Sequence, residues 1–152
     1  MNSAAFYAQL SRNFPFAPTE KQDLFFKMAA VFLTDKSDDS IFILKGYAGT
    51  GKTSVIATIV NSLVEINKKY VLLAPTGRAA KVIANYSEKP ASTIHKKIYF
   101  PKKGQGGGVN FTNQINKHTN TVFIVDEASM ISDMSTDGKL DSSSLLDDLI
   151  SY

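Results

Sequence analysis

Ile41-Phe42-Ile43-Leu44-Lys45 runs straight into Gly46-Tyr47-Ala48-Gly49-Thr50-Gly51-Lys52-Thr53. The first four residues are apolar and lie between turn and glycine signals, which reads as a buried strand. The last eight fit G-x-x-x-x-G-K-[ST] without a gap. Glycines let the backbone turn tightly and approach an anion with no Cβ in the way. The N–H groups then face inward and form a nest for a phosphate. Beyond the loop, Val55, Ile56, Ile59, Val60, Leu63 and Val64 recur at helical spacing. That predicts a helix over 52–66, whose positive dipole end adds to the anion site. Lys52 would place a point charge on the β- and γ-phosphates, and the Thr53 hydroxyl would ligate Mg²⁺. Strand, loop and helix together predict a nucleotide site formed by Gly46, Tyr47, Ala48, Gly49, Thr50, Gly51, Lys52 and Thr53.

Outward from the loop the pattern repeats. Tyr70-Val71-Leu72-Leu73-Ala74 and Thr121-Val122-Phe123-Ile124-Val125 are two more apolar runs, read as buried strands. A short helix is expected over 77–86. Strand, helix, strand, helix, strand implies parallel strands with crossover helices, an α/β fold. Upstream, 3–12 reads as helical up to Asn13-Phe14-Pro15, and Thr19 is an N-cap for a helix over 20–34 with Gln22 in the capping-box position. A turn is expected at Ser37-Asp38-Asp39-Ser40. Two weaker helices are expected near 127–134 and 141–151. The stretch 87–120 is irregular: Lys97-Ile98-Tyr99-Phe100 and Val109-Asn110-Phe111-Thr112 flank Pro101, Gly104, Gly106, Gly107 and Gly108. It reads either as a β-hairpin projecting from the core or as a flexible surface loop.

Composition narrows the classes. The chain has 152 residues, 43% of them apolar, and no cysteine. It can bury a core, and it can hold no disulfide, thiol nucleophile or Cys-zinc centre. No apolar run approaches the roughly 18 residues of a membrane span. The N-terminus shows neither a basic n-region nor a small-residue cleavage site, so the expectation is a cytoplasmic protein with no membrane partner. The net charge of +3 is unevenly laid out. Residues 68–103 carry nine Lys or Arg against Glu88 alone, and residues 126–152 carry seven acids against Lys139 alone. The basic block suggests a polyanion partner.

The third apolar run ends in Asp126-Glu127. In an open parallel sheet, the carboxyl strand ends and a phosphate loop share one edge. Asp126 is therefore expected to hold Mg²⁺ beside the phosphates, and Glu127 to polarise the attacking water. Lys52, Asp126 and Glu127 form the catalytic set, and Thr53 and Asp126 the metal set. No N-K-x-D guanine-reading motif is present, which leaves ATP rather than GTP.

The remaining segments resemble the RecD-like group of superfamily 1 DNA helicases, over residues 15–150 and with the motifs in family order. Thr19-Glu20-Lys21-Gln22 is similar to the group's adenine-reading Q motif. Ala74-Pro75-Thr76-Gly77-Arg78-Ala79-Ala80-Lys81 is similar to motif Ia, Thr93-Ile94-His95 to the motif that follows it, and Asp126-Glu127-Ala128-Ser129-Met130-Ile131 to motif II. The resemblance implies a RecA-like P-loop NTPase fold, a three-layer parallel sheet in one N-terminal ATP-binding domain over 1–152. It implies ATP and Mg²⁺ as cofactors. It adds Gln22 to the nucleotide site and Thr76, Arg78, Thr93 and His95 as contacts to single-stranded DNA. In the family, the slot at 97–116 carries a pin that splits the duplex.

The resemblance also implies what lies beyond these residues: a Gly-Asp-x-x-Gln motif III strand and a second RecA-like domain with an arginine finger. Without them the fragment is expected to bind ATP weakly, hydrolyse it slowly and unwind nothing. The fold would be truncated before the motif III strand, leaving apolar edges at 41–44 and 122–125. Either these pair directly, or another chain fills the gap by self-association, or the natural protein is longer. Two other functional readings stay open: a non-helicase P-loop ATPase or nucleotide-binding regulator, and a DNA-binding fragment in which the basic stretch acts alone.

Overall fold

The computed structural model describes residues 1–35, 40–103, 109–131 and 144–152. They form two compact units: Met1–Tyr70 with Tyr86–Glu88, and Val71–Asn85 with Lys89–Tyr152. Residues 37–39 of the turn expected at 37–40, the glycines at 104–108, and parts of the helices expected near 127–134 and 141–151 lie outside the described residues.

The first unit is helical. Helix α1 (Ser3–Asn13) opens on Asn2, whose side chain accepts from the Ala5 N–H. Helix α2 (Glu20–Thr34) opens on a capping box between Thr19 and Gln22. Helix α3 (Lys52–Ser62) starts at the glycine loop and tightens into a 3-10 turn over Leu63–Ile66. α1 packs on both α2 and α3, burying Phe6, Leu10, Phe26, Val60 and Leu63. Phe14 meets Phe26 edge-on at 5.2 Å. On the α1–α2 seam, Tyr7 donates its hydroxyl to Asp23 at 2.5 Å and Lys27 pairs with the same carboxylate at 2.8 Å. The Lys27 ammonium, more than the Tyr7 hydroxyl, holds the Asp23 carboxyl below its ordinary range.

The strand expected at 41–44 is corrected by the structure. These residues join no strand ladder among the described residues. Exposure alternates instead: Ile41 is 68% and Ile43 71% exposed, while Phe42 inserts between Phe25 and Phe32 at ring distances of 5.6 and 5.2 Å. The period of two is that of an extended chain. A strand is closed, however, by a neighbour that takes up its N–H and C=O groups, and here only one face is covered.

The second unit holds a parallel sheet in the order β2-β1-β5, built from β1 (Lys69–Ala74), β2 (Ala91–Thr93) and β5 (Thr121–Val125). The register pairs Leu72 with Ala91 and Ala74 with Thr93. Helix α4 (Gly77–Ser87) connects β1 to β2, and the short α5 (Ile94–Ile98) follows β2 at once. Then β3 (Tyr99–Lys103) and β4 (Val109–Asn113) pair antiparallel on either side of residues 104–108. After β5 come a 3-10 turn over Ala128–Met130 and helix α6 (Leu145–Ser151). Leu73, Ile94 and Ile98 are fully buried, with Phe123, Val125, Leu145, Leu149 and Tyr152 packed against them. The α/β class and the parallel sheet agree with the sequence reading. Among the described residues no helix is long and apolar enough to cross a membrane.

Candidate nucleotide site and nucleic-acid edge

In the first unit the glycine loop folds on itself. The Tyr47 carbonyl accepts from the Thr50 hydroxyl at 2.8 Å, the Thr50 N–H at 3.4 Å and the Lys52 ammonium at 2.9 Å. Lys52 Nζ also donates to the Gly46 carbonyl at 2.9 Å. Gly49 and Gly51 have φ of +77° and +81°, the left-handed region where a Cβ is penalised. Gly51 has a second reason to be glycine: a Cβ there would stand 2.8 Å from Gln22 Nε2. Gly51 caps α3, whose first turn presents Lys52 and Thr53. The Tyr47 side chain is 90% exposed.

Gln22 is brought to this loop from α2. Its Oε1 accepts from the Thr19 N–H at 2.9 Å, and its Nε2 donates to the Thr50 carbonyl at 3.1 Å. One amide therefore closes the capping box and steadies the phosphate loop together. Gly46, Tyr47, Ala48, Gly49, Thr50, Gly51, Lys52, Thr53 and Gln22 thus gather in one unit.

The second unit carries the other expected residues on one edge of its sheet. Asp126 follows β5 directly, is 6% exposed, and donates its N–H to the Leu73 carbonyl of β1 at 3.0 Å. Its Oδ1 accepts from the Glu127 N–H at 3.0 Å. Glu127 has φ of 55°, an unfavourable conformation for a side chain that is not Gly, Asn or Asp. Strain of this kind concentrates at working sites.

Thr93 ends β2 level with Ala74, the last residue of β1, and Thr76 follows two residues later. Both threonines cap helices: Thr76 Oγ1 accepts from the Ala79 N–H and Thr93 Oγ1 from the Lys96 N–H, each at 3.2 Å. A capping hydroxyl keeps its own O–H to donate. Arg78, in the first turn of α4, and His95, in α5, are both exposed. Thr76, Thr93 and Asp126 therefore share the carboxyl edge of the sheet, with Arg78 and His95 just beyond it.

Among the described residues no three His, Cys, Asp or Glu side chains cluster tightly enough to hold a metal. Of the two expected metal ligands, Thr53 belongs to the first unit and Asp126 to the second.

Sequence reasoning did not single out β2, α5 or the role of Tyr99. The signals were present: Thr93 precedes Ile94 and Ile98, an N-cap followed by apolar residues at i and i+4. The Tyr99 hydroxyl donates to Asp148 on α6. Burial, and then that carboxylate, push the phenol well above its ordinary value, so it remains a donor.

A family model described as an AAA domain matches residues 28–140. An uncharacterized protein of Methanocaldococcus jannaschii is 39% identical over 119 residues, covering 70% of this chain and 10% of its own length. The RecBCD enzyme subunit RecD of Buchnera aphidicola is 32% identical over 133 residues, covering 74% of this chain and 21% of the relative. The ATP-dependent RecD2 DNA helicase of Deinococcus radiodurans is 28% identical over 93 residues, covering 61% of this chain and 12% of the helicase. The chain thus spans between 10% and 21% of the length of these relatives.

Proposed function

Since the chain belongs to the AAA domain family of P-loop proteins and to its RecD-like helicase group, we propose that it is the ATP-binding part of an ATP-dependent DNA helicase. In this reading ATP hydrolysis drives movement along single-stranded DNA and separation of a duplex. The observation that carries it is the folded phosphate loop, with Gln22, Lys52 and Thr53 gathered at it. The loop amides and the α3 dipole hold the triphosphate. Lys52 exchanges the Gly46 and Tyr47 carbonyls for the β- and γ-phosphates. Magnesium, when bound with the nucleotide, would neutralise charge on the transferring phosphoryl group; by their motifs, Thr53 would be its hydroxyl ligand and Asp126 the carboxylate assigned to it. Glu127 orients the attacking water. Gln22 reads adenine if its amide leaves the Thr50 carbonyl.

DNA lies along the carboxyl edge of the second unit. Thr76 and Thr93 donate to backbone phosphates, Arg78 adds charge, and His95 meets a base or sugar. Nucleotide binding is the readout for residues 1–152.

Calorimetry with Mg·ATP should give saturable heat. Lys52→Ala should weaken binding roughly ten- to a hundredfold, the scale of losing a charge-assisted hydrogen bond. A folded chain with no heat at millimolar nucleotide would sink the reading. So would a longer chain carrying the second domain whose ATPase ignores single-stranded DNA.

A further inference from the structure

The root of the β3–β4 hairpin is fastened to one carboxylate. Tyr99, the first residue of β3, donates its hydroxyl to Asp148 on α6. Asn113, the last residue of β4 and the register partner of Tyr99, donates Nδ2 to the other Asp148 oxygen at 3.4 Å. Gln114 closes the same root from the backbone side. Its N–H reaches the Ile98 carbonyl and its Nε2 the Tyr99 carbonyl, both at 2.7 Å.

α6 is itself held firmly. Ser144 and Asp147 form a capping box at its start. Leu145, Leu149 and Tyr152 pack onto Leu73, Ile94 and Ile98. The hairpin register places Tyr99, Asn113, Pro101 and Phe111 on one face. Along it the rings of His95, Tyr99 and Phe111 follow one another at 5.7 and 6.4 Å.

We propose that Asp148 is a positioning residue: by gripping both hairpin strands at their root, it fixes the hairpin to α6 and keeps Phe111 in line with Tyr99 and His95. The grip stands on its own geometry; its consequence for DNA rests on the reading of His95 given above.

Two measurements on the full 152-residue chain test it. Hydrogen exchange without DNA reads the grip. Tyr99→Phe removes one hydroxyl and no charge, and Asp148→Ala removes both acceptors. Each should raise exchange at 99–103 and 109–113 roughly tenfold or more, because a hydrogen bond to a charged group is lost. Exchange in α1 and α3 should not change. Asp148→Asn keeps one acceptor for the Tyr99 hydroxyl and should recover most of the protection.

Fluorescence anisotropy with an oligothymidylate reads the consequence. Asp148→Ala and Tyr99→Phe should each weaken binding several-fold, and Asp148→Asn should largely restore it. Removing a negative charge would by itself strengthen binding to a polyanion, so weakening cannot come from charge. Wild-type exchange in both Asp148→Ala and Tyr99→Phe would overturn the proposal, as would faster exchange with DNA affinity unchanged or tighter. If the wild-type chain binds no oligothymidylate, the helicase reading fails, and the exchange data alone decide the grip.

Discussion

Gly51 and Glu127 both stand in the left-handed region, at φ of 81° and 55°, but their substitutions should have opposite effects. Gly51→Ala adds a Cβ to a strained backbone and drives it within 2.8 Å of Gln22 Nε2. The expected loss is about 1–2 kcal/mol in urea unfolding, with weaker ATP binding by calorimetry. Glu127→Gly relieves backbone strain and should raise the unfolding midpoint, while in a longer, active chain it should remove ATP turnover. Glu88, also at φ of 54° just after α4, has no proposed chemistry. Glu88→Gly should therefore stabilise by roughly 0.5–1 kcal/mol and leave nucleotide binding untouched. Tyr99 adds a pH signature. Its phenol is raised above the ordinary 10.0, so the folded state holds a proton that the unfolded chain releases. That contribution is complete below 10.0 and lost as pH climbs through the folded value. Tyr99→Phe should flatten the alkaline fall of stability, read as urea midpoints against pH.

Element by element, caps did much of the organising. Thr19→Ala should cost about 1 kcal/mol by opening the α2 capping box, and it should also loosen the phosphate loop, because Gln22 serves both. Reduced protection of the loop amides in hydrogen exchange would register the second effect. Elements with a local signal were legible in the sequence: the Thr19 cap, the apolar period of α3, the apolar runs of β1 and β5, and the glycine loop. Where structure depends on a distant partner, legibility failed. Residues 41–44 have a strand's composition, yet a ladder needs a neighbour and none of the described residues supplies one. β2 is three residues long, too short for a period to appear, and it exists because β1 offers an edge. The hairpin was open to two readings because Pro101 and the glycines argue against a strand, whereas the grip of Asp148 at its root is a contact across 49 positions. The candidate residues were found by motif, but the double duty of the Gln22 amide was not visible in the letters.

For the molecule as a whole, Ile41 and Ile43 leave extended apolar backbone uncovered, a surface prone to pairing with another chain. Sedimentation at rising concentration should show self-association, and Ile41→Lys with Ile43→Lys should suppress it. The basic block across 68–103 sets a second global property: log affinity for single-stranded DNA should fall linearly with log salt, more shallowly after Lys96→Ala with Lys97→Ala. The hydrogen bonds of Gln22 to Thr19 and Thr50 make the start of α2 a mechanical neighbour of whatever fills the glycine loop. The protein has no native cysteine, so a single thiol introduced at Lys21 would accept a fluorophore at one place only. Its emission should then track nucleotide arrival in real time, an optical reporter provided by a glutamine that faces two ways.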